Sequence, residues 1–592
     1  MRIRLAILAA IAGVACCGLA QAAPPQFGEL IEVNVVNVDV HVTDRAGRPV
    51  TDLRREDFEV LEDGKRVEVT NFQVMTAGVA GVPPMASAPV SAPSSGPAQP
   101  APAAQLPAEE RLHLIVYVDN FNLEPAHRSR VLKQLRGFLK DLRPEDLVMM
   151  VTNDLGLTVR LPFTGDRAAM ESALTAIETL PTQGQEAWNE RRQALTRVLA
   201  IREAVRKMDG PCSRMIVAPI ESYAETTRQE VLRSINAMTV LVNSLSGVPG
   251  RKALLHVSDG LPVTPGEEVY QLMAEICSGG TASGVADVAD PDLIGPGQYS
   301  GREAMLDAQR YSTVEDFNKL AAHANANRVT LYTLQASGLA APASASAVWG
   351  TDEVVLAQLP NIHSIAAANL RNSLTLLASE TGGRAILDAN DVTADLHQMQ
   401  RDLESYYSVG YSPSHSGDGR EHRIEVRVKR PGLQVRHRKS YRDKPAIERA
   451  VDRTLAAVYH GFEDNPLEVA IELGAQTPAG KDRVAVPIKL RIPLFRLGIF
   501  PQADKSYHGR LRLFVSTRDG KGGVSPIRQV EVPLQIKPEE VLYAMGKLFE
   551  YELTLNLLPG EQHIAIAVRD EVTTTTSVLS RTLTVSMPLG TR

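Results

Sequence analysis

The sequence predicts a doubly wound α/β domain at its centre, a small β unit before it and an all-β sandwich after it. Three patterns predict this. Between residues 111 and 412, dense apolar runs of strand length alternate with helical periodicity, as expected of a parallel sheet covered on both faces. Residues 33–72 alternate apolar and polar side chains on either side of Asp63-Gly64, a hairpin pattern. Beyond residue 455, seven alternating runs are separated by turn residues, which suits two packed antiparallel sheets.

Arg2 and Arg4, the apolar run Leu5 to Leu19 and the small-x-small end Ala20-Gln21-Ala22 predict a secretory signal peptide over residues 1–22. The expected location is therefore periplasmic or secreted. No later run offers eighteen uninterrupted apolar residues, so no transmembrane anchor is expected. A chain of 592 residues exceeds what one hydrophobic core supports. Its net charge of −6 argues against nucleic acid as a partner. Cys16 and Cys17 lie in the signal; Cys212 and Cys277 remain. Two readings of that pair are open, a disulfide or two separate buried thiols.

The first unit spans 27–75. Val36, Val38, Val40 and Val42 mark one strand, and Phe58 to Leu61 with Val67 to Phe72 flank the Asp63-Gly64 turn. Residues 76–110 are rich in Ala, Pro, Ser and Gly, which bury too little apolar surface to offset ordering entropy, so a flexible linker is expected. The α/β domain, 111–412, opens on the buried strand Leu112 to Val118. It continues through strands at Leu147 to Thr152, Lys252 to Val257, Val329 to Leu334 and Ala385 to Leu387. Helices are expected over 166–180, 186–207, 226–245, 314–326 and 374–380, with an insertion at about 262–312. Ligands of such folds sit at the carboxyl ends of the strands. Two strands end there in acid: Asp119, and Asp259 in Ser258-Asp259-Gly260.

Those two aspartates resemble the pair found in von Willebrand factor A domains. The segments Asp57-Phe58-Glu59-Val60-Leu61-Glu62-Asp63-Gly64, Leu377 to Ala385 and Asp402 to Pro413 resemble exported bacterial VWFA-related proteins over about residues 30–445. The resemblance implies an adhesion module in which Asp119, Thr182 and Asp259 hold Mg²⁺ or Mn²⁺ and leave one position for a partner's carboxylate. It also places Asn120, Asn122 and Ser258 beside the partner. The sequence departs from the family where its serines belong: Asp119-Asn120-Phe121-Asn122-Leu123 puts Phe121 and Leu123 there, and neither offers oxygen. The degenerate motif leaves a second reading open, in which both aspartates cap the turns that follow them.

A basic hairpin over 413–445, pairing His422 to Val428 with Leu433 to Tyr441, is expected to dock on the α/β domain. Its charges suit either an edge that resists aggregation or a surface for acidic polymer. After a helix near 446–459, residues 455–590 are expected to form an immunoglobulin-like sandwich. No metalloprotease, nucleophile-elbow or phosphate-loop motif is present, and the thirteen histidines are scattered. The predicted function is a non-catalytic envelope protein that binds an envelope or extracellular protein through its α/β domain. A structural scaffold with a dead metal site and a hydrolase of envelope polymer are the alternatives.

Overall fold

A computed structural model describes residues 35–75, 111–154, 156–208, 212, 214, 217–277, 299–339, 353–480, 482–502, 505–544 and 546–586. The expected signal peptide, the whole of the expected linker over 76–110 and the middle of the 262–312 insertion lie outside them.

Leu112–Val118 is buried at every position. Its alternate side chains face opposite ways: Leu112, Leu114, Val116 and Val118 enter one core, Ile115 and Tyr117 another. Helices Pro125–Asp141, Arg167–Glu178 and Thr393–Glu404 close the first face. Ala218–Ser244, Val314–Ala326 and the end of Glu353–Thr381 close the second. Burial on both faces is why the central strands read as continuous apolar runs.

The sheet has six strands in the order Ala385–Ile386, Val329–Gln335, Arg251–Ser258, Leu112–Val118, Leu147–Asn153, Leu157–Thr164. All neighbours are parallel except the last pair. Chain order reverses between Leu112–Val118 and Arg251–Ser258, which makes their carboxyl ends the switch point of a doubly wound sheet. The antiparallel edge strand Leu157–Thr164 was not foreseen. All of its positions are half-buried or exposed, so it lacks the apolar run that betrays its neighbours.

Segments leaving the carboxyl end of this sheet build a further helical core. Ala194, Leu195 and Val198 of Gly184–Met208 pack with Ile220, with Val269, Tyr270 and Met273 of Glu267–Cys277, and with Ala304 and Ala308 of Gly301–Gln309. Cys212 and Cys277, sixty-five residues apart in sequence, are joined as a disulfide within it, which decides between the two readings. Cross-linking a loop of that length restricts the unfolded chain. Replacing both cysteines with serine should therefore cost about 2–4 kcal/mol, read as a lower urea midpoint that reductant no longer shifts.

The expected basic hairpin is not a simple hairpin. Glu421–Val428 pairs with Phe58–Glu62, and only its first residues meet Ser440–Arg442. Gln434–Arg436 pairs with Val36–Thr43, which lies beside Tyr406–Tyr411. The segments before and after the α/β domain thus interleave as two four-stranded sheets. They share a core of Val36, Val38, Val40, Phe58, Val60, Tyr407, Val409, Ile424 and Val426. Alternation fixes which face of a strand is buried but not which strand it pairs with.

The seven expected C-terminal runs are strands of two antiparallel sheets. Val484–Pro493 pairs with Leu548–Leu557 and Ala470–Leu473; Tyr507–Asp519 lies between Arg528–Ile536 and Gly560–Asp570, which pairs with Thr576–Val585. Val486, Ile488 and Leu490 of one sheet meet Leu513, Ile564 and Ile566 of the other in one core.

Candidate functional site

The strand Leu112–Val118 delivers Asp119 to the switch point with no exposed surface. Past it the chain makes a short 3₁₀ turn, Asn120–Asn122. Phe121 and Leu123 drive this local shape by turning inward, and both are buried. Phe121 also lies under the Arg233 guanidinium, 5.6 Å from the ring centre.

The turn places Asn122 Nδ2 where it donates to Asp119 Oδ2 at 2.9 Å and to Ser234 Oγ at 3.1 Å. Ser258 Oγ donates to the same carboxylate oxygen at 3.2 Å, and Asn153 Nδ2 donates to Oδ1 at 3.0 Å. One neighbouring residue, Asn120, is buried and donates to Asp154 at 2.9 Å while accepting from Arg128 at 3.1 Å. Arg128 in turn holds the carbonyls of Glu178 and Leu180, each at 2.8 Å.

Asp259 belongs to an adjoining cluster. Its Oδ2 accepts from the backbone N–H of Glu124 at 3.1 Å and lies 2.9 Å from His127 Nδ1. That hydrogen bond raises the imidazole pKa of His127 above its ordinary value against the opposing effect of partial burial. Asp259 Oδ1 and Thr182 Oγ1 are buried without a hydrogen-bond partner. The main chain ties these pieces together: Asp259 N donates to Asn122 O, and Gln183 N to Asn120 O.

An octahedral Mg²⁺ requires oxygen donors around it. Phe121 and Leu123 provide none, and both oxygens of Asp119 are occupied by N–H or O–H donors. Turning either asparagine amide over would set its oxygen against the carboxylate, an arrangement only a cation would favour. As placed, the oxygens of Asp119 are saturated by hydrogen-bond donors, whereas Thr182 Oγ1 and Asp259 Oδ1 are left without one. Asn120 and Ser258, expected beside a partner, are buried.

Asn153, Ser234, His127 and Arg128 were not foreseen. Asn153 carried a usable signal, since it ends a buried strand at the sheet's functional edge. The other three reach the site from helices with nothing in their local sequence to mark them. A cavity of about 890 Å³ lies at the opposite end of the sheet, where the α/β domain, the interleaved β unit and the helix Ala446–His460 meet. Lys252 lines it, its ammonium pushed down to about 7 by burial, and donates to Val248 O at 2.7 Å.

No family model matches the chain, and no curated protein does either. Solved structures are similar to parts of it. An aerotolerance-related membrane protein from Bacteroides fragilis is 12% identical, with 49% of this chain and 98% of that one covered at a TM-score of 0.23. A conserved hypothetical protein, BatB, from Bacteroides thetaiotaomicron is 9% identical over 49% and 96%, at a TM-score of 0.21. A von Willebrand factor type A structure from Catenulispora acidiphila is 9% identical over 81% and 67%, at a TM-score of 0.23. Likenesses this slight carry no argument for function. The strand order brings the ends of Leu112–Val118 and Arg251–Ser258 side by side, so that Asp119 and Asp259 stand together at the switch point of the sheet.

Proposed function

We propose that the chain is a non-catalytic, exported envelope protein that binds another protein through the rim of its α/β domain. The observation that carries this reading is the closed network around Asp119: its groups are spent on one another, holding a fixed platform rather than a free nucleophile and base. Above the platform, the loop after Val329–Gln335 presents Leu339, 61% exposed, beside the exposed Arg371–Asp388 pair at 2.7 Å. An exposed apolar side chain rimmed by charge suits a protein partner. In this reading Asn120, Asn122 and Ser258 position the rim from below, and the C-terminal domain, an immunoglobulin-like sandwich, acts as a spacer. Among the described residues no helix is long and apolar enough to cross a membrane.

A photo-crosslinking residue at position 339 of the full chain, exposed to envelope extract, tests the rim. One discrete adduct, competed away by unlabelled protein but not by a Leu339→Asp variant of equal thermal stability, is expected. Adducts of many sizes that both competitors leave unchanged would end this reading.

The same reading treats Asp119, Thr182 and Asp259 as a set that holds no ion, with Asp119 saturated by hydrogen bonds and Thr182 Oγ1 unpaired. Calorimetric titration with Mg²⁺ and Mn²⁺ is expected to give no saturable heat at millimolar concentrations. Saturable binding lost in both Asp119→Ala and Asp259→Ala would instead establish a rearranged adhesion site.

A further inference from the structure

Two of the histidines that look scattered in the sequence are stacked face to face. His415 and His422 have ring centres 3.9 Å apart and planes inclined by 14°. They flank a turn in which Gly417 and Gly419 take φ of 61° and 73°, values that glycine adopts without strain. This tight reversal brings His415, Asp418 and His422 together, with one potential ligand atom from each lying within 4.8 Å of the others.

Each ring is held by a carboxylate on its Nδ1 side. His415 Nδ1 is 2.9 Å from Asp443 Oδ2, and His422 Nδ1 is 2.8 Å from Asp63 Oδ2. A carboxylate accepts only from N–H, so it fixes the proton on Nδ1 and leaves the Nε2 lone pair for a ligand. Carboxylates orient metal-binding histidines in this way. The two Nε2 atoms then face more negative charge. His422 Nε2 is 3.2 Å from Asp418 Oδ2. His415 Nε2 is buried with no hydrogen bond, 3.5 Å from Glu62 Oε2. Glu62 itself is steadied by the hydroxyls of Tyr411 and Tyr441, which donate to its other oxygen at 2.8 and 2.7 Å. Lone pairs facing carboxylates repel unless a cation lies between them.

We propose that His415, Asp418 and His422 bind a zinc ion, with Glu62 Oε2 the nearest donor to complete a tetrahedron. Two imidazoles and carboxylate oxygen are a donor set that zinc accepts, whereas Mg²⁺ and Ca²⁺ prefer oxygen alone. Ligand atoms around a tetrahedral zinc lie roughly 3.3 Å apart, so binding draws the turn inward. The ion would fasten the turn to Glu62, on a strand that precedes the α/β domain in sequence and pairs with Glu421–Val428, and stiffen the interleaved β unit.

The test uses the untagged full chain, stripped with chelator and dialysed, titrated with Zn²⁺ by calorimetry and with Co²⁺ by visible absorption. One equivalent of Zn²⁺ binding below micromolar Kd, and the intense bands of tetrahedral Co²⁺, are expected. Asp418→Asn, a change at an exposed turn position, should weaken Zn²⁺ binding at least tenfold with the circular dichroism spectrum unchanged, and His415→Gln should abolish the Co²⁺ bands. If the wild-type chain shows no stoichiometric Zn²⁺ binding, the cluster holds protons only and the proposal falls. Binding that both variants leave intact places the ion elsewhere and overturns it equally.

Discussion

Acidification from about pH 7.5 to about pH 5 should cost the folded protein on the order of 5 kcal/mol, chiefly through four histidines that burial keeps neutral. His41, His113, His437 and His460 are each pushed down to about 4, with loss of solvation the leading cause in every case. Nearby cations reinforce it, Lys252 at His113 and Lys439 at His437. The unfolded chain takes up these protons near 6.5 and the folded chain resists until about 4. Their stability is therefore fully present above 6.5 and is lost as the pH falls between those values. His127 and His422 work in the opposite sense, His127 because its bond to Asp259 favours the charged ring and His422 because, against loss of solvation, its bonds to Asp63 and Asp418 do so, but they are two groups against four.

Urea midpoints at a series of pH values provide the measurement, and a flat profile between pH 7.5 and 5 would contradict it. His113→Phe sharpens the test. Both ring nitrogens of His113 are buried without partners, and the ring meets Phe163 and Phe462 edge-on, each at 5.1 Å. Phenylalanine should preserve that packing, keep or raise stability at neutral pH and remove roughly a quarter of the acid dependence, on the order of 1–2 kcal/mol.

The second large effect is expected at Asp119. Asp119→Ala removes the acceptor for Asn122, Asn153 and Ser258 in a site with no water access, and should cost about 3–5 kcal/mol. Asp259→Ala should cost only about 1 kcal/mol, since its carboxylate is partly exposed and holds two partners rather than three. Denaturant unfolding in chelator and again in millimolar Mg²⁺ tests the cause as well as the size. A loss at Asp119 that is the same in both buffers points to hydrogen bonds, whereas one seen only with Mg²⁺ points to an ion.

How far the sequence reveals this molecule follows from how each residue reports its surroundings. Leu112–Val118 and Arg251–Ser258 are legible because burial on both faces favours unbroken apolar stretches such as Leu114–Val118 and Ala253–Leu255. Val314–Ala326 is legible through its helical periodicity. The helix Glu353–Thr381 was read only over residues 374–380 because Pro360 interrupts the pattern, although the chain continues helically through it. Asp119 and Asp259 could be found as acids at strand ends. Their donors could not, since Asn, Ser and His are common everywhere and reach the site from distant segments. The interleaving of Val36–Thr43 with Tyr406–Tyr411 was hidden because strand partners leave no mark in local sequence.

That interleaving decides where mechanical load travels. The chain leaves the β unit after Val69–Met75 and re-enters it at Tyr406–Tyr411, which is paired with both Val36–Thr43 and Val69–Met75. Tension applied between residue 35 and the C-terminal sandwich is borne by the hydrogen bonds of the β unit. The α/β domain is inserted between strands of that unit and is also braced by Ala456 and Phe462, which pack against its core ahead of the sandwich.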